Sequence, residues 1–144
     1  RDIDLTVEFH RKVLQNNLLI DEVLSSAEQN EFLQLPRDAK TAVKFMQGNH
    51  MFGKIALSQP LNYECHDMVS DGIAPNIGYI AQAFEVNDLR ISEKAIADLN
   101  CEIYNQRRLI DFPGLGEIEI IMVKAPGSGA LQLIFKARNS QGID

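Results

Sequence analysis

The first 30 residues show two successive spacings of apolar side chains. Apolar and polar residues alternate strictly over 3–9, which is the period of a half-buried strand. From Lys12 onwards, Ile20, Val23 and Leu24 have the spacing of one helix face. We therefore predict a strand followed by a helix over about 12–30, and whether that helix extends backward over the alternating segment is left open.

A second helix and a short strand are predicted between residues 36 and 57. Pro36 and Asp38 suit the first turn of a helix, and Gly48 suits its end. The segment 54–57 then has the composition of a short strand. Proline and glycine interrupt the segment 58–78 throughout, so we expect a long loop or a hinge there.

The second half of the chain has clearer signals. The segment 79–86 predicts a strand, and Ser92 is placed to cap a third helix. Apolar residues alternate over 118–122 and again over 131–135, and the glycine-rich segment 125–129 between them predicts a turn. The chain is therefore expected to end in a β-hairpin.

Together these elements predict an α+β fold with three helices and a short antiparallel sheet that ends in a C-terminal hairpin. The length of 144 residues, with 45% apolar and 24% charged side chains, is typical of one globular domain. We therefore expect a single domain over 1–144, with a candidate hinge near 58–78.

Charge and hydropathy restrict the partners. The net charge of −6 repels phosphate backbones, so nucleic acid is not an expected partner. Arg107 and Arg108 form the most basic pair and suit the negative end of the third helix. No apolar run is long enough to span a bilayer, so no membrane insertion is predicted. Because the sequence begins at Arg1 and not at methionine, we expect an upstream segment to have been removed.

Few residues indicate chemistry. Cys65, His66 and Asp67 form the densest cluster of reactive side chains, but neighbours in sequence point to opposite sides of a strand and lack the spacing of metal ligands. A loop could still bring these residues together as a metal or thiol site, so they and Lys54 are kept as candidates, and a structural cysteine beside a solvent-facing His–Asp pair is the favoured interpretation. His10 has no visible partner and is interpreted as structural. The glycines at 114–116 and 127–129 favour turns over phosphate loops. No catalytic residue, cofactor or metal site is predicted.

Residues 1–58 resemble the C-terminal tail of the medium-chain enoyl reductase domains of polyketide and fatty acid synthases. The motifs that carry this resemblance are the segments 18–24, 35–36, 42–47 and 53–57. The resemblance implies a helix at 42–47 and a non-catalytic fragment or relative of the reductase in a larger assembly, where Lys54 and its strand would complete a catalytic unit. The family's glycine-rich NADPH-binding turn is absent, so this chain alone is not expected to bind NADPH.

The order of elements also resembles the globular heads of type IVb pilins and related secretion subunits. In that comparison 92–101 stands for the cysteine-bearing helix and Arg1 follows a removed hydrophobic stem. The resemblance implies an extracytoplasmic assembly subunit, with a disulfide between Cys65 and Cys101 as one option. A third alternative is an acidic module of the inhibitor or immunity type, which the net charge of −6 would suit.

The thiols would separate these alternatives. Free thiols at Cys65 and Cys101 would indicate a cytoplasmic, reductase-derived protein, and a disulfide would indicate a periplasmic or extracellular one. In each case the expected partner is another protein or the remainder of a larger polypeptide.

Overall fold

A computed structural model describes residues 2–69, 71–72 and 78–138. These residues form three helices and seven strands. The elements are α1 (Ile3–Lys12), β1 (Asn17–Leu24), α2 (Ala27–Phe32), β2 (Thr41–Gln47), β3 (Ile55–Pro60), β4 (Ala81–Glu85), α3 (Leu89–Asp98), β5 (Glu102–Phe112), β6 (Gly116–Lys124) and β7 (Leu131–Ala137).

Two sheets replace the single short sheet that the sequence predicted. The first sheet has the order β1-β2-β3 and is antiparallel throughout. The second has the order β4-β7-β6-β5, in which β4 runs parallel to β7 and the other pairs are antiparallel. The predicted fold class was therefore wrong, because most of the first half, which was predicted to be helical, forms the first sheet. Each half has a helix followed by three antiparallel strands, but the first half has α2 between β1 and β2, and the second half adds β4 before its helix.

The alternating segment at the N-terminus is a helix and not a strand. Asp2 caps α1, because its carboxylate accepts hydrogen bonds from the backbone N–H groups of Asp4 (2.9 Å) and Leu5 (3.1 Å). Ile3, Val7 and Phe9 are buried on the helix, whereas Leu5 is exposed. The buried face of α1 also includes polar residues, which the apolar alternation does not mark.

The two helices predicted for the first half are largely strands. The segment 12–30 contains β1 and only the beginning of α2, and 41–47 is β2. The spacing of Ile20, Val23 and Leu24 fits a helix face, but β1 forms its hydrogen bonds with β2, which in turn pairs with β3. Such non-local pairing overrides local spacing and is not visible in a short window of sequence.

The second half follows the prediction more closely. β4, the start of α3 and the β6–β7 hairpin lie at or within a few residues of their predicted positions, and β3 overlaps the strand predicted at 54–57. The prediction was wrong for β5, because the third helix was expected to continue to Arg108. The cap of α3 is Asp88, however, and Ser92 lies inside the helix, where its hydroxyl donates to the carbonyl oxygen of Val13 over 2.6 Å. Arg107 and Arg108 lie in β5 instead of at a helix end.

One hydrophobic core joins α1 and α3 to the second sheet. Its buried members are Phe9, Val13, Leu14, Val86, Leu89, Ile96, Ile121, Val123, Ala125 and Ile134. The N-terminal half of α1 also contacts the β6–β7 turn, because the backbone N–H of Asp2 donates to the carbonyl oxygen of Gly127 over 3.3 Å. On its other side, the backbone N–H of Ile3 donates to the Gln59 side chain over 2.7 Å. α1 therefore connects the two sheets.

The region between the sheets is described only in part. β3 extends to Pro60, and the described residues of 61–80 contain no helix or strand. The candidate hinge at 58–78 therefore lies partly outside the described residues, and one domain over 1–144 stays a prediction. No helix in the described ranges is long and apolar enough to cross a membrane.

Candidate functional site

The second sheet has one covered face and one that is partly exposed. Ile121, Val123 and Ile134 are buried in the core beneath α1 and α3. Successive residues of a strand point to opposite faces, so Ile120, Met122 and Leu133 point away from the helices. These three side chains are only partly buried. An apolar surface therefore faces outward on the side of the sheet opposite the helices.

Cross-strand register arranges this surface in two rows. Glu85 pairs with Phe135, Phe135 with Ile120, and Ile120 with Arg108. In the adjacent row, Ala83, Leu133, Met122 and Asn105 are paired in the same way. We call the eight residues of these rows the open face: Ala83, Glu85, Asn105, Arg108, Ile120, Met122, Leu133 and Phe135.

The exposed apolar part of the open face is short. Along β6, the next residue of the same alternation is Ile118, which is only 2% exposed. Along β7, the corresponding residue beside Leu133 is Leu131, which is 6% exposed. The apolar centre, formed by Ile120, Met122, Leu133 and Phe135, is thus bounded by buried side chains on both strands.

β5 is irregular where it passes this apolar centre. Its register with β6 shifts between Ile103 and Asn105 and again between Asn105 and Arg108. Such bulges bend a strand, redirect side chains and are common beside binding sites. A depression of about 220 Å³ lies at this point. Its lining comprises Asn105, Gln106, Arg108, Ile110, Ile120, Ile121, Met122 and Leu133.

The two adjacent arginines of β5 have different surroundings. The guanidinium of Arg107 lies 2.9 Å from the carboxylate of Glu93 and 4.0 Å from that of Glu119. The pKa of Glu119 is lowered, chiefly by its hydrogen bond with Arg138 and further by the charge of Arg107. Arg108 makes no ion pair within the part of the chain that the structure describes. Arg107 therefore has carboxylate partners on the helix side of β5, whereas Arg108 is a cation on the open face without a carboxylate partner among the described residues.

The acidic residue of the open face is too distant to pair with Arg108. Glu85 lies on β4, three strand spacings from β5. Because neighbouring strands lie about 4.8 Å apart, the backbones of Glu85 and Arg108 are separated by about 14 Å. This exceeds the screening length of about 8–10 Å at ordinary ionic strength. Glu85 instead lies 4.0 Å from the ammonium group of Lys136.

The residues singled out by sequence lie elsewhere. Lys54 is exposed directly before β3, and Cys65, His66 and Asp67 are exposed in the segment after it. The carboxylate of Asp67 accepts a hydrogen bond from the backbone N–H of Val69 over 3.1 Å. None of these four residues belongs to the open face, and any role they have stays a prediction.

Both cysteines are free in the structure. Cys65 is exposed, whereas Cys101 is half-buried against the hydrophobic core, and this burial raises the pKa of its thiol. The disulfide between them stays a prediction. In the described ranges, no three His, Cys, Asp or Glu side chains are grouped so that they could hold a metal ion.

The sequence patterns did not indicate Asn105, Arg108 or the apolar centre as a site. The alternation at 118–122 and 131–135 correctly indicated which of these residues share a face. It could not show which face the helices cover, because apolar residues occupy both faces of β6. Arg108 was assigned to the C-terminal end of the third helix, where its positive charge would have stabilised the helix dipole.

Solved structures of glyoxalase-family proteins are similar to this chain. A glyoxalase family protein from Bacillus cereus has a TM-score of 0.78 at 14% identity, over 94% of this chain and 87% of that chain. A glyoxalase family protein from Enterococcus faecalis has a TM-score of 0.52 at 15% identity, over 92% and 86%. A glyoxalase I variant from Zea mays has a TM-score of 0.54 at 13% identity, over 94% of this chain and 44% of that chain. The chain therefore has the glyoxalase fold.

No protein-family model and no curated protein matches the chain. The similar structures show that the resemblances to enoyl reductase tails and to pilin heads were wrong. The functions drawn from them, and the acidic inhibitor alternative, are not supported. The reductase resemblance depended on a helix at 42–47, and this segment is β2.

Proposed function

We propose that the protein binds a small, largely apolar molecule on the open face of its second sheet. The observation that carries this proposal is the partly exposed apolar centre formed by Ile120, Met122, Leu133 and Phe135. Ligand sites typically combine such an apolar floor with a few polar groups that fix orientation. Asn105 and Arg108 supply those groups at one end of the rows.

The expected affinity follows from the size of the surface. A fragment that removes about 150 Å² of apolar surface from water gains roughly 4 kcal/mol at about 25 cal/mol/Å². Part of this gain is lost to the entropy of association, so a minimal fragment should bind with a Kd near or above about 1 mM. A natural ligand that also contacts the polar end would bind more tightly.

The similar structures support only a limited part of this proposal. Their identities of 13–15% establish the fold and do not extend a glyoxalase reaction to this chain. We propose binding for that reason, and no catalytic step. The net charge of −6 supports a ligand other than nucleic acid. A protein partner stays a prediction.

A titration with phenylacetamide, a neutral aryl fragment, tests the proposal. Backbone amide signals of 120–122 and 133–135 should shift progressively as the fragment is added, because these residues flank the apolar centre. Met122→Gln should raise the Kd about fourfold, because a fourfold change equals roughly the free energy of burying one methylene group, about 0.8 kcal/mol.

Leu109→Gln provides the matched control. Leu109 is 47% exposed on the same sheet, and it pairs with Glu119 on the helix side instead of facing the open face. This variant should bind as the unmodified protein does. Shifts confined to other parts of the chain, or equal affinities of the Met122→Gln variant and the unmodified protein, would contradict the proposal.

A further inference from the structure

We propose that the natural ligand carries a single carboxylate, which Arg108 binds while the apolar body of the ligand lies on Ile120 and Met122. This inference rests on the proposed function, since it names the chemical class of the molecule bound at the same site. The class is an apolar monocarboxylate.

Arg108 and its neighbour Arg107 differ in their carboxylate partners. Arg107 has carboxylate partners on the helix side, at 2.9 Å and 4.0 Å. Arg108 has none in the described ranges, although its row continues directly into apolar side chains. A guanidinium beside an apolar surface is suited to a planar carboxylate, because its two parallel N–H groups bind both oxygens.

The side-chain amide of Asn105 lies in the row next to that of Arg108. One of the two bulges of β5 lies between Asn105 and Arg108. Among the described residues, the acceptor for the Nδ2 group of Asn105 is the sulfur of Met122 at 3.7 Å, which is a weak acceptor. This N–H group can donate instead to a ligand oxygen, so the polar end of the site has two donors side by side.

The opposite end of the rows, on β4, carries a carboxylate. Glu85 lies on β4, so a ligand that extends across the sheet from Arg108 approaches a carboxylate at its far end. The ammonium group of Lys136 lies 4.0 Å from this carboxylate, so this end has no unpaired cation among the described residues to bind a second anionic group. The face therefore selects one anionic group at β5 and a neutral body toward β4.

Three probes of similar shape separate the charge from the apolar body. They are phenylacetate, phenylacetamide and 2-phenylethylammonium, which are anionic, neutral and cationic. In the unmodified protein at low salt we expect phenylacetate to bind about three- to fivefold more tightly than phenylacetamide, as for one exposed ion pair. The cation should bind most weakly, and added salt should reduce the differences.

Two variants locate the preference. Arg108→Gln should bring the affinities of phenylacetate and phenylacetamide to within about twofold of each other, because the one ion pair is lost. Arg107→Gln is the matched control, since it removes an equal charge from the next residue on the other face, and it should keep the preference. Amide spectra of both variants should retain the dispersion of the folded protein.

The outcomes distinguish the inference from the proposed function. If no probe binds at the open face, the proposed function fails. If phenylacetamide binds there as tightly as phenylacetate, the proposed function stands and the carboxylate inference is overturned. Equal loss of the preference in both arginine variants would also overturn it, because the effect would then reflect net charge alone.

Discussion

Stability toward acid should depend on His10. This side chain is 2% exposed and lies between the rings of Phe9 and Phe84, with centroid distances of 6.0 Å and 5.9 Å in edge-on geometry. Its Nδ1 lies 3.4 Å from the amide nitrogen of Asn16, which can only donate, so Nδ1 must accept. The site therefore holds a neutral imidazole, and desolvation by burial lowers the pKa of His10 from 6.5 to about 4.

The sign and size of the effect follow from this pKa. The unfolded chain binds a proton near pH 6.5 and the folded chain only near pH 4, so the unfolding free energy falls as the pH falls through this interval. Above pH 6.5 the contribution is constant. Each unit of pKa corresponds to about 1.4 kcal/mol, so the penalty for folding should reach roughly 2.5 kcal/mol at pH 4.5.

Urea unfolding at pH 7.0 and pH 4.5 measures this penalty. The unmodified protein should lose roughly 2.5 kcal/mol more unfolding free energy between these values than His10→Gln, because carboxylates common to both proteins cancel in the difference. Equal losses would refute the reasoning. If the variant does not fold, an NMR titration of His10 in the unmodified protein decides the question, and a measured pKa above 6 would refute it.

Two further predictions concern local geometry and the thiols. Gly127→Ala should destabilise the protein by at least about 2 kcal/mol, since its Cβ would lie 2.1 Å from the carbonyl oxygen of Asp2 at a φ of +79°. Gly114 has a similar φ of +86° and open space around it, so Gly114→Ala should lower the unfolding free energy by only about 1 kcal/mol. Equal losses of unfolding free energy in urea for the two variants would show that α1 does not contact the turn so closely. With a thiol reagent, the native protein should show one fast thiol (Cys65) and one slow thiol (Cys101), whereas no reactive thiol even after denaturation would establish the disulfide.

The second half of the fold could be predicted because its pairings are local. β6 and β7 are joined by a short turn, and apolar alternation with a glycine-rich connection is a direct signal of a hairpin. The helix predicted there is present over 89–98, but the residues predicted to form its C-terminal part belong to β5. What the sequence could not provide was the parallel pairing of β4 with β7, since about 50 residues separate the paired positions.

The first half could not be predicted because its apolar spacing indicates the wrong structures. Ile3, Val7 and Phe9 alternate as on a strand, whereas the buried face of α1 is completed by the polar residues Thr6 and His10. In β1 and β2 the opposite error arose, because both strands are stabilised by pairing, and the residues paired between them lie at least 17 positions apart in the sequence. Local propensity has little influence where such pairing is available.

The open face combines two features that stability alone does not require. Partial exposure of Ile120, Met122, Leu133 and Phe135 leaves apolar burial incomplete, whereas the same strands bury Ile121, Val123 and Ile134 almost completely on the other side. The bulges of β5 interrupt its pairing with β6 beside this surface and place Asn105 and Arg108 at its edge. A chain selected only for stability would cover this surface and keep the strand regular, so the coincidence of both features at one place favours a ligand site there.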